Sequence, residues 1–279
     1  MSTRNLSEAD LTDAVLARLA RCENPRFKQL MTSLIRHLHA FVREVELTEA
    51  EWAEGIRFLT ETGQKCDADR QEYILLSDVL GVSMLVDALN HKKPSGATES
   101  TVLGPFYVSG APELPNGADI SHGGPGERTE VLGRVLSLDG KPIKGALLDV
   151  WQTADNALYS SQDPQQDRFN MRGKFKSGAD GAFSFRTVKP VSYPVPTDGP
   201  VGKILNAMGR HPMRPAHIHF IVSAPGHEPC ATHIFANGDR YLDSDVVFAV
   251  KNSLVADFKP KGDGKTLEVK YDFVLKPAG

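Results

Sequence analysis

A chain of 279 residues, 41% of them hydrophobic, can bury a substantial core as one large domain or as two unequal ones. The net charge of −3, with Lys and Arg dispersed along the chain, excludes the basic footprint that a nucleic-acid partner demands. No apolar run approaches membrane-spanning length, the N-terminal stretch lacks the apolar core of a signal peptide, and Cys22, Cys66 and Cys230 lack C-x-x-C spacing, so a soluble cytoplasmic protein with reduced thiols is expected.

The first hundred residues read as helices near 7–21, 25–45, 48–64 and 69–90. Ser7 to Asp10 and Thr48 to Glu51 match the S/T-x-x-D/E capping pattern, and Pro25 after Asn24 suits a first helical turn. Leu30, Leu34, Leu38, Phe41 and Val42 recur at three- and four-residue steps, an apolar stripe in need of a partner surface. His37 and His39 point to different sides of that helix and are read as structural.

From about residue 94 the chain becomes β-branched and punctuated by Gly and Pro. Strands are expected over Thr129–Leu138, Ala146–Gln152, Ala182–Val188, His217–Ser223, Cys230–Ala236 and Leu267–Leu275, several bounded by Asp-Gly or Gly-Lys-Pro turns. Short strands with tight turns imply an antiparallel sandwich or barrel. Segments 153–180 and 189–215 are expected to be long loops of the kind that carry function. His122, His211 and His227 fall in Gly/Pro-rich turns and are assigned no chemistry.

The most informative stretch is Arg214-Pro-Ala-His-Ile-His-Phe-Ile-Val. On a strand, positions i and i+2 share a face, so His217 and His219 can reach one ion. Tyr159 lies just past a strand ending near Trp151, and Tyr193 lies in Lys189-Pro-Val-Ser-Tyr-Pro-Val-Pro, where prolines restrict the backbone. Either tyrosine alone is an ordinary packed aromatic. Two phenolates with two imidazoles suit a hard trivalent ion, whereas zinc more often recruits Cys, a third His or a carboxylate, so ferric iron is the preferred occupant.

The blocks Leu75-Leu-Ser-Asp-Val-Leu-Gly, Glu99-Ser-Thr-Val-Leu-Gly-Pro-Phe-Tyr, Asp149-Val-Trp to Tyr159, Tyr193 to Gly202 and Arg214-Pro-Ala-His-Ile-His resemble the intradiol ring-cleavage dioxygenases, the catechol and hydroxyquinol 1,2-dioxygenase group. The resemblance runs from the helical region almost to the C-terminus. It implies a mainly β fold with α: a helical N-terminal dimerisation domain (1–100) able to hold phospholipid tails, then an antiparallel β-sandwich catalytic domain (101–279). It further implies non-haem Fe(III) held by Tyr159, Tyr193, His217 and His219 with hydroxide, and an aromatic diol or triol plus O2 as substrates.

On the same resemblance, Tyr193 and hydroxide take the two protons that a chelating diol must lose. Arg214 then places a fixed positive charge where negative charge accumulates on the ring. The substrate pocket is expected to comprise Leu75, Asp78, Val102, Leu103, Gly104, Pro105, Phe106, Val195 and Pro196, with Arg214 and His233. Asp78 is positioned to accept a hydrogen bond from a third hydroxyl, and His233 stands where catechol-cleaving relatives usually carry Gln. Both favour hydroxyquinol over the alternatives, catechol or chlorocatechol. A non-catalytic β-sandwich carrier is the remote alternative, and a reddish purified protein excludes it.

Overall fold

The computed structural model describes residues 4–67 and 70–278. Ser7 and Asp10 form a reciprocal capping box ahead of α1 (Glu8–Ala17), which tightens into a 3-10 turn over Arg18–Arg21. Asn24 Oδ1 accepts from the Phe27 amide at 2.9 Å, with Pro25 in the first turn of α2 (Pro25–Glu44). Glu51 closes the start of α3 (Glu49–Gln64) by accepting from the Thr48 amide at 2.9 Å and from its hydroxyl at 2.8 Å.

By contact density the chain divides into Met1–Thr60 and Glu61–Gly279. In the first unit α1 meets α2, and Thr12 Oγ1 lies 2.9 Å from His39 Nδ1, a structural bond. The apolar stripe of α2 stays about half exposed, with Leu30 and Leu34 at 50% and Leu38 at 53%. No described helix is long and apolar enough to cross a membrane.

In the second unit the single helix expected over 69–90 is two: α4 (Glu72–Val79) and α5 (Val82–Asn90), Asp69 lying outside the described residues. Gly81 at φ +74° makes the break, a left-handed conformation that only glycine adopts without strain.

Two five-stranded sheets follow. One has the order β3 (Arg172–Lys176), β2 (Leu147–Trp151), β7 (His217–Ser223), β8 (Cys230–Ala236), β9 (Val255–Ala256). The other is built on β1 (Arg128–Ser137). There β4 (Ala182–Val188) runs antiparallel to β1, while β11 (Leu267–Lys270) and β12 (Phe273–Leu275) run parallel to its successive halves, and β10 (Lys259–Pro260) pairs with β11. Val131, Phe183, Phe185, Val269 and Phe273 pack against Leu148, Val150, Phe175, Ile218, Phe220 and Ile234, giving the sandwich core between the two sheets.

Four expectations are corrected. The strand over Leu267–Leu275 is interrupted, because Asp272 Oδ1 accepts from the Arg134 amide at 2.8 Å in place of a ladder bond. Its halves pair with β1 in parallel, and β9 pairs with β8 in parallel, so the sheets are mixed rather than wholly antiparallel. Segment 153–180 contains β3, whose Arg-Gly-Lys-Phe-Lys text buries one apolar side chain in the core, too few to show alternation. Segment 189–215 contains β5 (Tyr193–Pro194), α6 (Pro200–Ala207) and β6 (Met213–Arg214).

The outer face of the β3-β2-β7-β8-β9 sheet is covered as well. Leu75 and Val79 of α4 and Val201 and Leu205 of α6 form a second buried cluster with Val195 and Phe235. Strand β7 is therefore buried on both faces, which lets polar side chains on its outer face sit in a dry interior.

Candidate metal centre

Strand register places the outer-face residues in rows. Trp151 lies opposite Arg172 on β3 and opposite His219 on β7, and His219 lies opposite His233 on β8, a row of four across four strands. Trp151 stacks on the His219 ring at 4.6 Å and 12°, fixing its plane, and the His233 ring centroid is 4.1 Å beyond. His217 is one step along the same face, where its Nδ1–H donates to the Pro215 carbonyl at 2.7 Å. A carbonyl only accepts, so His217 Nε2 is left as a lone pair aimed into the site.

Tyr159 enters from the loop after β2. That loop is closed by Ala154 N–H to Leu158 O at 2.9 Å, by the Tyr159 amide to Gln162 Oε1 at 3.1 Å, and by the Gln162 amide to Tyr159 O at 2.8 Å. The Phe106 ring stacks on Tyr159 at 4.7 Å. Tyr193 enters from β5, whose only partner is β6, with Tyr193 directly opposite Arg214. Asp239 ties this ribbon to β7 by accepting from the Ser192 hydroxyl and from the Ala216 amide at 3.0 Å.

The donor atoms of the four side chains converge. His217 Nε2 is 3.1 Å from His219 Nε2, which is 3.0 Å from Tyr159 Oη, which is 3.2 Å from Tyr193 Oη. Arg214 closes the ring from outside: its Nη1 is 3.4 Å from Tyr193 Oη and 3.1 Å from His217 Nε2. Donors bound about 2.0–2.1 Å from a common ion stand roughly 2.9–3.4 Å apart at right-angled to tetrahedral separations. His219 Nδ1 has no hydrogen-bond partner, so the group is not satisfied by internal bonding alone. Two imidazole nitrogens and two phenol oxygens packed this closely fit a cation.

Electrostatics agree. Burial pushes His217, His219 and His233 well below the usual histidine range, aided at His217 by the neighbouring Arg214 charge, so protons do not compete for the ring nitrogens. Burial raises Tyr159 well above the ordinary phenol value, and the neighbouring Tyr193 adds to it. Tyr193 is also raised by burial, with Arg214 opposing the rise. Without a cation both phenols keep their protons, and a multivalent ion reverses that preference.

The sequence-predicted surroundings divide into three groups. Leu75, Pro105, Phe106, Val195 and Pro196 line a cavity of about 700 Å³, together with Arg70, Leu158, Gln162 and Asp198. Gly104, Arg214 and His233 adjoin the donor cluster instead. Gly104, at φ +76°, lies so close that an added Cβ would stand 3.4 Å from His219 Cε1. His233 Nδ1 is hydrogen-bonded to the Thr101 hydroxyl, while its Nε2 has no partner among the described residues. Asp78, Val102 and Leu103 do not line that cavity: Val102 packs with Leu75 and Val195, Leu103 is 42% exposed, and Asp78 is buried beside Ser83, its pKa raised by burial.

Several contributing residues had no sequence signal. Asp245 grips Arg214 through Nε at 3.2 Å and Nη2 at 3.3 Å, and also accepts the Val247 and Ala249 amides. It lies in an irregular stretch without periodicity. Arg172 and Thr101 were equally silent, and Trp151 was visible only as the end of its strand.

Residues 102–277 match the family profile described as Dioxygenase, and residues 24–98 the profile described as Catechol dioxygenase N terminus. The chain is 55% identical to the 6-chlorohydroxyquinol 1,2-dioxygenase of Cupriavidus pinatubonensis, covering 96% of this chain and 97% of that one. It is 53% identical to the hydroxyquinol 1,2-dioxygenase of a Rhizobium species, covering 94% and 93%. The crystal structure of hydroxyquinol 1,2-dioxygenase from Pseudomonas putida superposes with a TM-score of 0.91 at 51% identity, covering 97% and 99%.

Proposed function

The chain belongs to the intradiol ring-cleavage dioxygenases, and on that premise we propose that it opens hydroxyquinol (benzene-1,2,4-triol) with O2 to 3-hydroxy-cis,cis-muconate, the enol form of maleylacetate, at a non-haem ferric ion held by Tyr159, Tyr193, His217 and His219. The observation that supports the ion and its ligands is the run of four donor atoms at successive separations of 3.0–3.2 Å, bridged at its ends by Arg214. Two phenol oxygens in that ring favour a hard trivalent cation over zinc. When bound, ferric iron supplies a template for both diol oxygens and an electron sink for the ring.

The protein's own groups do the rest. We assign Tyr193 Oη as base for one of the protons that the diol loses on chelation, since burial raises its proton affinity while Arg214, standing against it, stabilises the anion. Burial is the largest single influence on Arg214, but Asp245 together with Tyr193 and Tyr159 outweighs it, so the charge is preorganised for negative charge on the ring. Phe106, buried and stacked on Tyr159, keeps water off that side.

Hydroxyquinol is favoured by the hydroxyquinol and chlorohydroxyquinol names of the relatives at 53–55% identity. Asp78 supports it too: it lies outside that cavity but is buried within reach of the Arg214 charge beside the donor cluster. Initial rates with hydroxyquinol, catechol and chlorocatechol side by side test the choice, with hydroxyquinol expected to lead. Asp78→Ala is expected to lower kcat/KM for the triol by about tenfold, the loss of one hydrogen bond to a charged group, and to leave catechol little changed. Fast catechol turnover beside negligible triol turnover, or equal losses in the variant, overturns the assignment.

We assign residues 101–279 to catalysis and 1–100 to homodimer formation through the exposed α2 stripe, with phospholipid tails at the same contact. Sedimentation equilibrium is expected to show a dimer for the intact protein and monomer for Leu34→Asp. Lipid extraction with mass analysis tests the tails. A wild-type monomer, or an extract free of phospholipid, removes the corresponding assignment.

A further inference from the structure

Arg172 is a buried cation with no ion pair among the described residues. It is 1% exposed, and its guanidinium makes one hydrogen bond, from Nε to Ser160 Oγ at 2.8 Å; Nη1 and Nη2 have no partner. No carboxylate among the described residues forms an ion pair with it, and the nearest acid on its sheet face, Asp149, is engaged by Lys174 at 3.4 Å and by the Tyr107 hydroxyl at 2.9 Å. Arg214, the other buried arginine of the site, is matched by Asp245. Burying an arginine without an ion pair is costly, its charge persists because burial lowers its pKa only to about 10, and a neighbouring anionic metal ligand would offset that cost.

The group in place to do so is Tyr159. The Arg172 guanidinium carbon is 5.9 Å from the centroid of the Tyr159 ring, and Ser160, its hydrogen-bond partner, is the next residue in the chain. Ser160 in turn donates to the Arg168 carbonyl at 2.8 Å, so Arg172 also anchors the loop that presents Tyr159.

Resting on the ferric-site reading above, we propose that Arg172 is a positioning residue for the metal centre: from its place beside the Tyr159 ring and through its bond to Ser160, it holds the Tyr159 oxygen toward the ion and sets a positive charge beside that ligand. Supporting partners of this kind commonly tune metal affinity by about 10–100-fold when removed.

The experiment compares iron-loaded wild type with Arg172→Gln, Arg172→Lys and Ser160→Ala, using visible spectra and competition with a ferric chelator. Circular dichroism melting confirms that each variant is folded. Arg172→Gln is expected to shift the tyrosinate-to-ferric charge-transfer band and to weaken iron retention by about tenfold or more. Arg172→Lys, which keeps the charge, is expected to recover most of the band position. Ser160→Ala is expected to give a smaller change in the same direction. If Arg172→Gln keeps the wild-type band and iron retention while folded, or if lysine gives no recovery, the proposal is overturned. A colourless wild-type protein after iron loading overturns instead the ferric reading beneath it.

Discussion

Tyr159→Phe is expected to give a folded protein that retains little iron and turns over its diol at least about a thousandfold more slowly, roughly 4 kcal/mol of barrier. The change deletes one oxygen and leaves the ring, so the stack on Phe106 and the edge contact with Tyr193 survive. In the iron-free chain that oxygen makes only hydrogen bonds within the donor cluster, at 3.0 and 3.2 Å, so its loss changes stability by no more than about 1 kcal/mol. Iron analysis, the visible spectrum and a thermal melt on one preparation check all three parts. Wild-type iron content with wild-type turnover in the variant would remove Tyr159 from the metal site.

Arg214→Gln is expected to lower kcat by about 10²–10³, the usual cost of removing one preorganised donor or charge from a dry site. It carries a second penalty. Asp245 is 5% exposed and would keep only its backbone donors, and breaking a buried pair from one side typically costs about 3–5 kcal/mol of stability. The two effects separate in Arg214→Gln/Asp245→Asn, which leaves no unmatched buried charge at that place. The double variant is expected to regain most of the melting temperature and none of the activity. If turnover returns together with stability, Arg214 acts by holding the β5–β6 ribbon in place and not through its charge.

Local rules carried the helical region a long way. The capping residues at Ser7, Asn24 and Thr48 mark their helices because the signal lies within four residues of chain. Gly81 was the exception: a glycine inside a helical pattern breaks the helix only when its φ turns positive, and packing decides that. The parallel pairing of β11 and β12 with β1 was likewise out of reach, because strands more than a hundred residues apart in sequence carry no local sign of direction.

At the site, the alternation of a strand was enough to put His217 and His219 on one face, so their own sequence determined that half of the proposed ligand set. Tyr159 sits in a loop and Tyr193 on a two-residue strand, so no local period pointed to either, and their chemistry was legible only in combination with the histidines and through resemblance. Tertiary structure alone brought them within 3.2 Å of each other, and tertiary structure alone set the charge balance around them. Asp245 neutralises Arg214 from 31 residues away, while Arg172 beside Tyr159 has no ion pair among the described residues. The physical reason is that burial makes each charge depend on its neighbours in space, and those neighbours come from separate segments that meet only when the sheet and its covering loops close.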